Sequence, residues 1–184
     1  MVIKGGIKLE EGDLNLESLP FLIRSEKYLD AVNLLEKCIE KNDPKSDKCK
    51  ELIFSIMGDT LNKATETSIE CGSTSSNYEN LLYYSDCLIK ICSMEKIHQY
   101  FQDLCIRDGH EYNEDLLGIN LLLIIGLSLK GEALFHLENY QESIKYINKA
   151  INLLDPELNF KELDKYRKDV FNLKELCEEK IRGG

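Results

Sequence analysis

The sequence predicts an all-α fold, and three observations carry that prediction. Apolar residues recur at steps of three and four almost everywhere after Leu14, and no segment holds a period of two with β-branched enrichment. With only three Pro, no Trp and 8% aromatics, the composition argues against a sandwich or barrel of many short strands. Two distant segments that both end in Pro also carry one shared residue pattern. At 184 residues, 43% of them hydrophobic and 30% charged, the chain suffices for one domain with a sizeable core and is short for several.

Residues 1–11 read as a flexible segment and 12–184 as a single helical repeat domain. Helices are expected over 13–25, 28–42, 47–68, 78–92, 94–107, 113–137, 140–154 and 158–181, about seven to eight in all. The breaks between them have chemical causes. Asn42-Asp43-Pro44 ends one helix because Pro lacks an amide hydrogen and clashes with the preceding turn, and Asp155-Pro156 repeats the device. The stretch Cys71-Gly-Ser-Thr-Ser-Ser-Asn77 reads as a surface loop, since its small polar side chains compete for backbone hydrogen bonds. Asp108-Gly109-His110 is a third break. No Gly or Pro separates 78–92 from 94–107, yet the apolar phase slips near Met94, so one long helix or two shorter ones are both open.

Laid over each other, YLDAVNLLEKCIEKNDP and YQESIKYINKAINLLDP align Tyr28 with Tyr140, Ala31 with Ser143, Leu35 with Ile147, Cys38 with Ala150 and Pro44 with Pro156. The aromatic seats the turn between antiparallel helices, the small residues permit close approach and the large one fills the space between neighbouring pairs. This pattern resembles the tetratricopeptide repeat, whose first helix carries a Leu-Gly pair and a later aromatic. Gly131 and Leu134 occupy that place in the last repeat, and SIMGDTL, with Met57, Gly58 and Leu61, offers a degenerate second copy. The resemblance covers residues 12–45 and 120–157, extends over 47–92 and does not reach 94–112. The 112 residues between Tyr28 and Tyr140 equal three repeats of about 34 plus an insertion of about ten. It implies an α-solenoid whose first helices line a concave groove for an extended peptide or helix of another protein. The chaperone-tail clamp of that family falls on Leu16, Pro20, Ile56, Ile125 and Leu129, all apolar, so that particular ligand is not expected. A second resemblance, of SEKYLDAVNLLEKCIEKNDP to the start of the 14-3-3 fold, implies phosphate binding. The equivalent helix, GDTLNKATETS, has no Arg to grip a phosphate.

The last helix carries Leu163, Tyr166, Val170, Leu173 and Cys177 at steps of three and four, with Asp164, Lys165, Arg167, Lys168, Lys174 and Glu175 outward. It reads as a cap that covers the final apolar face of the array, or as a helix that pairs with a partner chain. The formal charge of −10 repels phosphate backbones and anionic headgroups, so no nucleic-acid partner is expected. The most apolar run, Leu116–Leu129, is shorter than a bilayer demands and holds Asn120 and Ser128, so a buried central helix is expected and membrane insertion is not. MVIKGGIKLEEGD lacks the basic flank, apolar core and cleavage site of a secretion signal. Seven Cys without a C-x-x-C pair suggest neither zinc nor a disulfide framework, and Cys38, Cys87 and Cys177 sit at apolar helical positions. A reducing, cytoplasmic setting fits them.

Catalytic chemistry has no address in the sequence, and no cofactor or metal is expected. Glu95-x-x-His98 has the spacing of a di-iron ligand pair, but a second such pair is required and Glu132 with His136 is spaced by four. Cys105 near Asp108 and His110 lacks an oxyanion donor. The terminal Ile181-Arg-Gly-Gly184 is like the tail of ubiquitin-type modifiers, which are β-grasp folds. The expected function is therefore that of a non-catalytic adaptor, with Asp59, Asn62, Lys63, Glu132 and His136 as the polar candidates for its groove. The competing readings are a helical-bundle enzyme or small-ligand binder around His98 and His110, a structural subunit of a larger assembly and a divergent 14-3-3-like protein.

Overall fold

The computed structural model describes residues 18–41, 47–70, 75–99, 102, 114–154 and 161–183, and these form eight helices and no strand. In chain order they are α1 (Leu19–Arg24), α2 (Tyr28–Lys41), α3 (Asp47–Glu70), α4 (Ser75–Cys92), α5 (described over 95–99), α6 (Glu114–His136), α7 (Tyr140–Leu153) and α8 (Lys161–Gly183). The all-α class is as the periodicity predicts. Residues 1–17, the prolines Pro44 and Pro156, and Cys105, Asp108 and His110 lie outside the described residues, as do the side chains of Cys38, Leu163 and Tyr166.

One expected loop is shorter than its composition suggests. Ser75, Ser76 and Asn77 belong to the first turn of α4, where residues that hydrogen-bond locally are well tolerated because the first amides have no intrahelical acceptor. The question left open at Met94 resolves into two helices. The amide of Ser93 donates to the carbonyls of Ile89 and Lys90, that of Met94 donates to Ile91, and the Met94 carbonyl then accepts from Ile97 and His98. The last turn of α4 thus tightens to a three-residue step, and Met94 opens α5.

Contacts between helices follow chain order in a repeating way. Helix α3 packs on both α1 and α2, α6 packs on both α3 and α4, and α8 packs on both α6 and α7. Two apolar clusters result. The first gathers Leu19, Ala31, Val32, Leu35, Ile53, Ile56, Met57, Leu88 and Ile91, and the second Ile124, Leu127, Ile147, Ala150, Val170 and Cys177. A smaller third cluster joins Ala64, Leu81 and Ala133. Helix α6 contributes to all three through Ile119, Ile124 and Ala133, so it must be apolar on every side. Its apolar window is longer than the 14-residue run read from the sequence: Gly118–His136 spans 19 residues at mean hydropathy 1.6, long and apolar enough to cross a membrane by length and composition. The packing of α3, α4, α7 and α8 around it gives that apolarity a role in the core. In α8, Val170 and Cys177 are buried and Leu173 packs against the second cluster, as the predicted cap requires.

The duplication seen in the residue pattern extends to the backbone. Among the described residues, Glu26 and Glu138, each two residues before its tyrosine, are the non-glycine residues with positive φ, at 55° and 61°. After α1, the amide of Glu26 donates to Ile23 and that of Lys27 to Leu22; after α6, the amide of Glu138 donates to Phe135 and that of Asn139 to Leu134. Every donor and acceptor of the second turn is displaced by the same 112 positions from the first. Both turns are Schellman motifs, in which a left-handed residue lets two late carbonyls find donors.

The second pair adds a close approach. A Cβ built on Gly131 would lie 2.6 Å from Cγ1 of Ile147, so only glycine lets α6 and α7 meet there. The Ser143 hydroxyl donates to the Gly131 carbonyl at 2.6 Å, and Phe135 meets Tyr140 edge-on at 5.4 Å. The first pair differs: Leu19 stands 112 positions before Gly131 and Ala31 before Ser143, both buried, while Tyr28 turns to Tyr84 of α4, 5.8 Å away. Gly58, the glycine expected to seat a middle repeat, faces open space.

Candidate functional site

The five polar residues proposed from the sequence do not form one constellation. They divide along α3. Lys63 pairs with Glu26 of the first turn at 3.0 Å, and the strong hydrogen bond to that carboxylate holds its ammonium above the usual lysine range. Asp59 is half-buried near Tyr28, whose phenol is raised first by burial and then by the Asp59 charge. Asn62 is exposed. Further along, Ser68 hydrogen-bonds Glu132 of α6, whose carboxyl is raised by burial against that bond. His136 stacks on Tyr78 of α4 at 4.4 Å with its edge exposed, and the loss of water on the covered face lowers its imidazole. Lys63, Glu132 and His136 thus tie helices of this chain to one another.

Two of the clamp positions are packing residues, while Pro20 and Ile125 are half-buried. Ile56 is buried in the first cluster, and Leu129 packs against the third. The Glu95/His98 pair does not converge either: Glu95 is exposed and His98 Nε2 is hydrogen-bonded to the Cys92 carbonyl. Among the described residues no group of three or more His, Cys, Asp or Glu side chains could hold a metal ion. Cys87, Cys92 and Cys177 are free and buried, and burial pushes the Cys87 and Cys92 thiols up to about 12. At neutral pH neither supplies a thiolate.

A concave feature of the described surface lies elsewhere, between α4, α6 and α7. A cleft of about 730 Å³ opens there, with Leu29 of α2 at one edge and Leu153 of α7 at another. Its floor is apolar, built by Ile89, Leu123 and Leu127. Its walls carry Lys90, Lys130 and Lys149 against a lone acidic side chain, Asp86, with Tyr146 between. Each lysine is positioned. Lys130, only 15% exposed, pairs with Asp86 at 2.5 Å and lies 4.0 Å above the Tyr146 ring. Lys149 approaches the same ring at 5.0 Å, and Lys90 bonds Asn33 at 2.6 Å and Glu36 at 2.9 Å. The Tyr146 ring thus has two ammonium groups within 5.0 Å of its centre. The hydrogen bonds to Asp86 and Tyr146 outweigh burial and hold Lys130 above the usual lysine range, so it is cationic throughout the neutral region.

Sequence reasoning missed this cleft because its cations come from three helices and share no local spacing. The one local signal is Lys145-Tyr146-Ile-Asn-Lys149, two cations and an aromatic on adjoining faces of α7 in a chain of net charge −10.

The fold and the cleft together define a class: an all-helical protein of successively packed helices with a lysine-walled, apolar-floored surface cleft. No protein-family model, curated protein or solved structure significantly matches this chain.

Proposed function

We propose that the chain is a helical-repeat interaction module of the tetratricopeptide type, a non-catalytic adaptor that holds a segment of another protein. The observation that carries this reading is the open cleft between α4, α6 and α7, whose edge residues Leu29 and Leu153 are 40% and 41% exposed although both are apolar. Apolar side chains gathered at a concavity offer a partner surface to cover. The repeat reading is supported by the twin turns at Glu26 and Glu138 and by the packing of α3, α6 and α8, each on both helices of the pair before it. The residues first expected to bind, Lys63 and Glu132, are engaged by Glu26 and Ser68, so the cleft, lined mainly by the second helices α2, α4 and α7, takes the place of the first-helix groove that the resemblance implies.

Affinity capture from a lysate of the organism that makes the protein, read by mass spectrometry, tests this. The wild-type chain is compared with Leu153→Asp and with the double variant Lys63→Glu, Glu132→Lys. The expected result is a partner lost with Leu153→Asp and kept by the double variant that remains helical. A partner lost only with the double variant would move the site to the α3 face, and no partner that discriminates among the three would contradict the module reading.

A further inference from the structure

We propose that the cleft accepts an acidic, amphipathic segment of a partner protein, with apolar side chains on Leu123, Leu127 and Leu153 and carboxylates on Lys130 and Lys149. This rests on the interaction-module reading and names its ligand chemistry. Charge complementarity carries it. The chain has 33 acidic and 23 basic side chains, yet of the three lysines lining the cleft, with Lys90 paired to Glu36 and Lys130 to Asp86, Lys149 is left without an ion pair to a described residue. An ammonium left over beside an apolar surface, in a chain of net charge −10, offers an anion a place that the rest of the surface denies it.

The state of the individual cations sharpens the ligand. Lys149 forms no ion pair with a described residue; it lies 5.0 Å from the Tyr146 ring and feels the charge of Glu142, whose own ion pair is with Lys145. It is therefore open to a carboxylate at little cost. Lys130 already holds Asp86, but its ammonium sits over the same ring and has donors to share between two carboxylates. Both heads lie within 5.0 Å of the Tyr146 ring centre, so a ligand must bring its acidic groups to one place beside its apolar ones.

Between these cations and Leu153, the floor offers Leu123 and Leu127. A helix about 10–12 Å across, carrying apolar residues on one stripe and Glu or Asp beside it, matches both demands. Its polar back would remain in solvent, which suits a cleft open at Leu29 and Leu153. A nucleic-acid strand would leave the apolar floor without partners, and a buried small molecule would need walls where the cleft is open.

The test is selection from a random library of roughly 16-residue peptides displayed on phage, against the full chain, with subtraction on the bare support alone. Peptides of net negative charge with apolar residues at steps of three and four are expected. Resynthesised, they should bind about tenfold more weakly to Lys149→Glu. Lys168→Glu, which changes the charge equally on the exposed surface of α8, should alter affinity by less than about twofold at physiological salt. Enrichment of neutral or basic peptides, equal losses in both variants, or no binder at all would overturn the proposal. If it falls while a native partner is still lost with Leu153→Asp, the ligand chemistry is wrong and the module stands; if that capture fails too, both fall.

Discussion

The two turn-and-helix units around Tyr28 and Tyr140 share a backbone and differ in how their helices are held. Both enter the second helix through a left-handed glutamate and the same pair of carbonyl bonds. Only the second pair adds glycine at the crossing, a hydroxyl bridging to the opposite carbonyl and a tyrosine folded onto its own pair. The first pair relies on Leu19 and Ala31, on Tyr28 reaching α4 and on the Lys63–Glu26 ion pair. A turn can thus be duplicated while the packing it sets up diverges. The pair whose approach is fixed by a glycine is also the pair that walls the cleft.

That contrast can be broken at several points. The largest effect is expected from Ala150→Glu and Ala31→Glu, each placing a carboxylate at a fully buried helix contact at a cost of about 3–5 kcal/mol in urea unfolding. Loss of stability at only one of the two sites would show that the pairs are not equivalent in the core. Next comes an opposed pair of glycine substitutions. Gly131→Ala should destabilise by about 1–2 kcal/mol, because the new methyl meets Ile147 and this outweighs the gain in helix propensity. Gly58→Ala, in open space, should stabilise by up to about 1 kcal/mol; effects of the same sign would refute the contrast.

Ser143→Ala removes the bond to the Gly131 carbonyl and the Cys177 contact at 3.2 Å, and about 1 kcal/mol should be lost. An unchanged urea midpoint would mean that α6 and α7 are held by packing alone, as α1 and α2 are. The smallest expected effect is a gain: Glu138→Gly relieves a left-handed residue by about 0.5–1 kcal/mol. Glu26→Gly should gain less, since it also gives up the ion pair with Lys63. Equal gains in thermal midpoint would assign that ion pair no role.

Much of this architecture was legible in the sequence, for reasons visible at particular residues. Ala31, Ser143, Ala150 and Gly131 mark close contacts because a larger side chain would not fit there. The left-handed turns were not legible, since Glu is no signal for positive φ. Gly58 misled: its neighbours fit the repeat, yet no helix approaches it. Of the candidate site, the sequence predicted polar groups on α3 and α6, and folding used Lys63 and Glu132 to join helices. Lys90, Lys130 and Lys149 share a cleft through the packing of α4, α6 and α7, which no spacing along the chain encodes.

The most direct test of the account is photo-crosslinking inside the producing cells, with p-benzoylphenylalanine placed at Leu153 in the cleft or at Asn62 on α3. Covalent adducts with one protein from position 153 and none from position 62 are the expected result. Adducts from position 62 alone would place the working surface on α3 and contradict the assignment of the cleft.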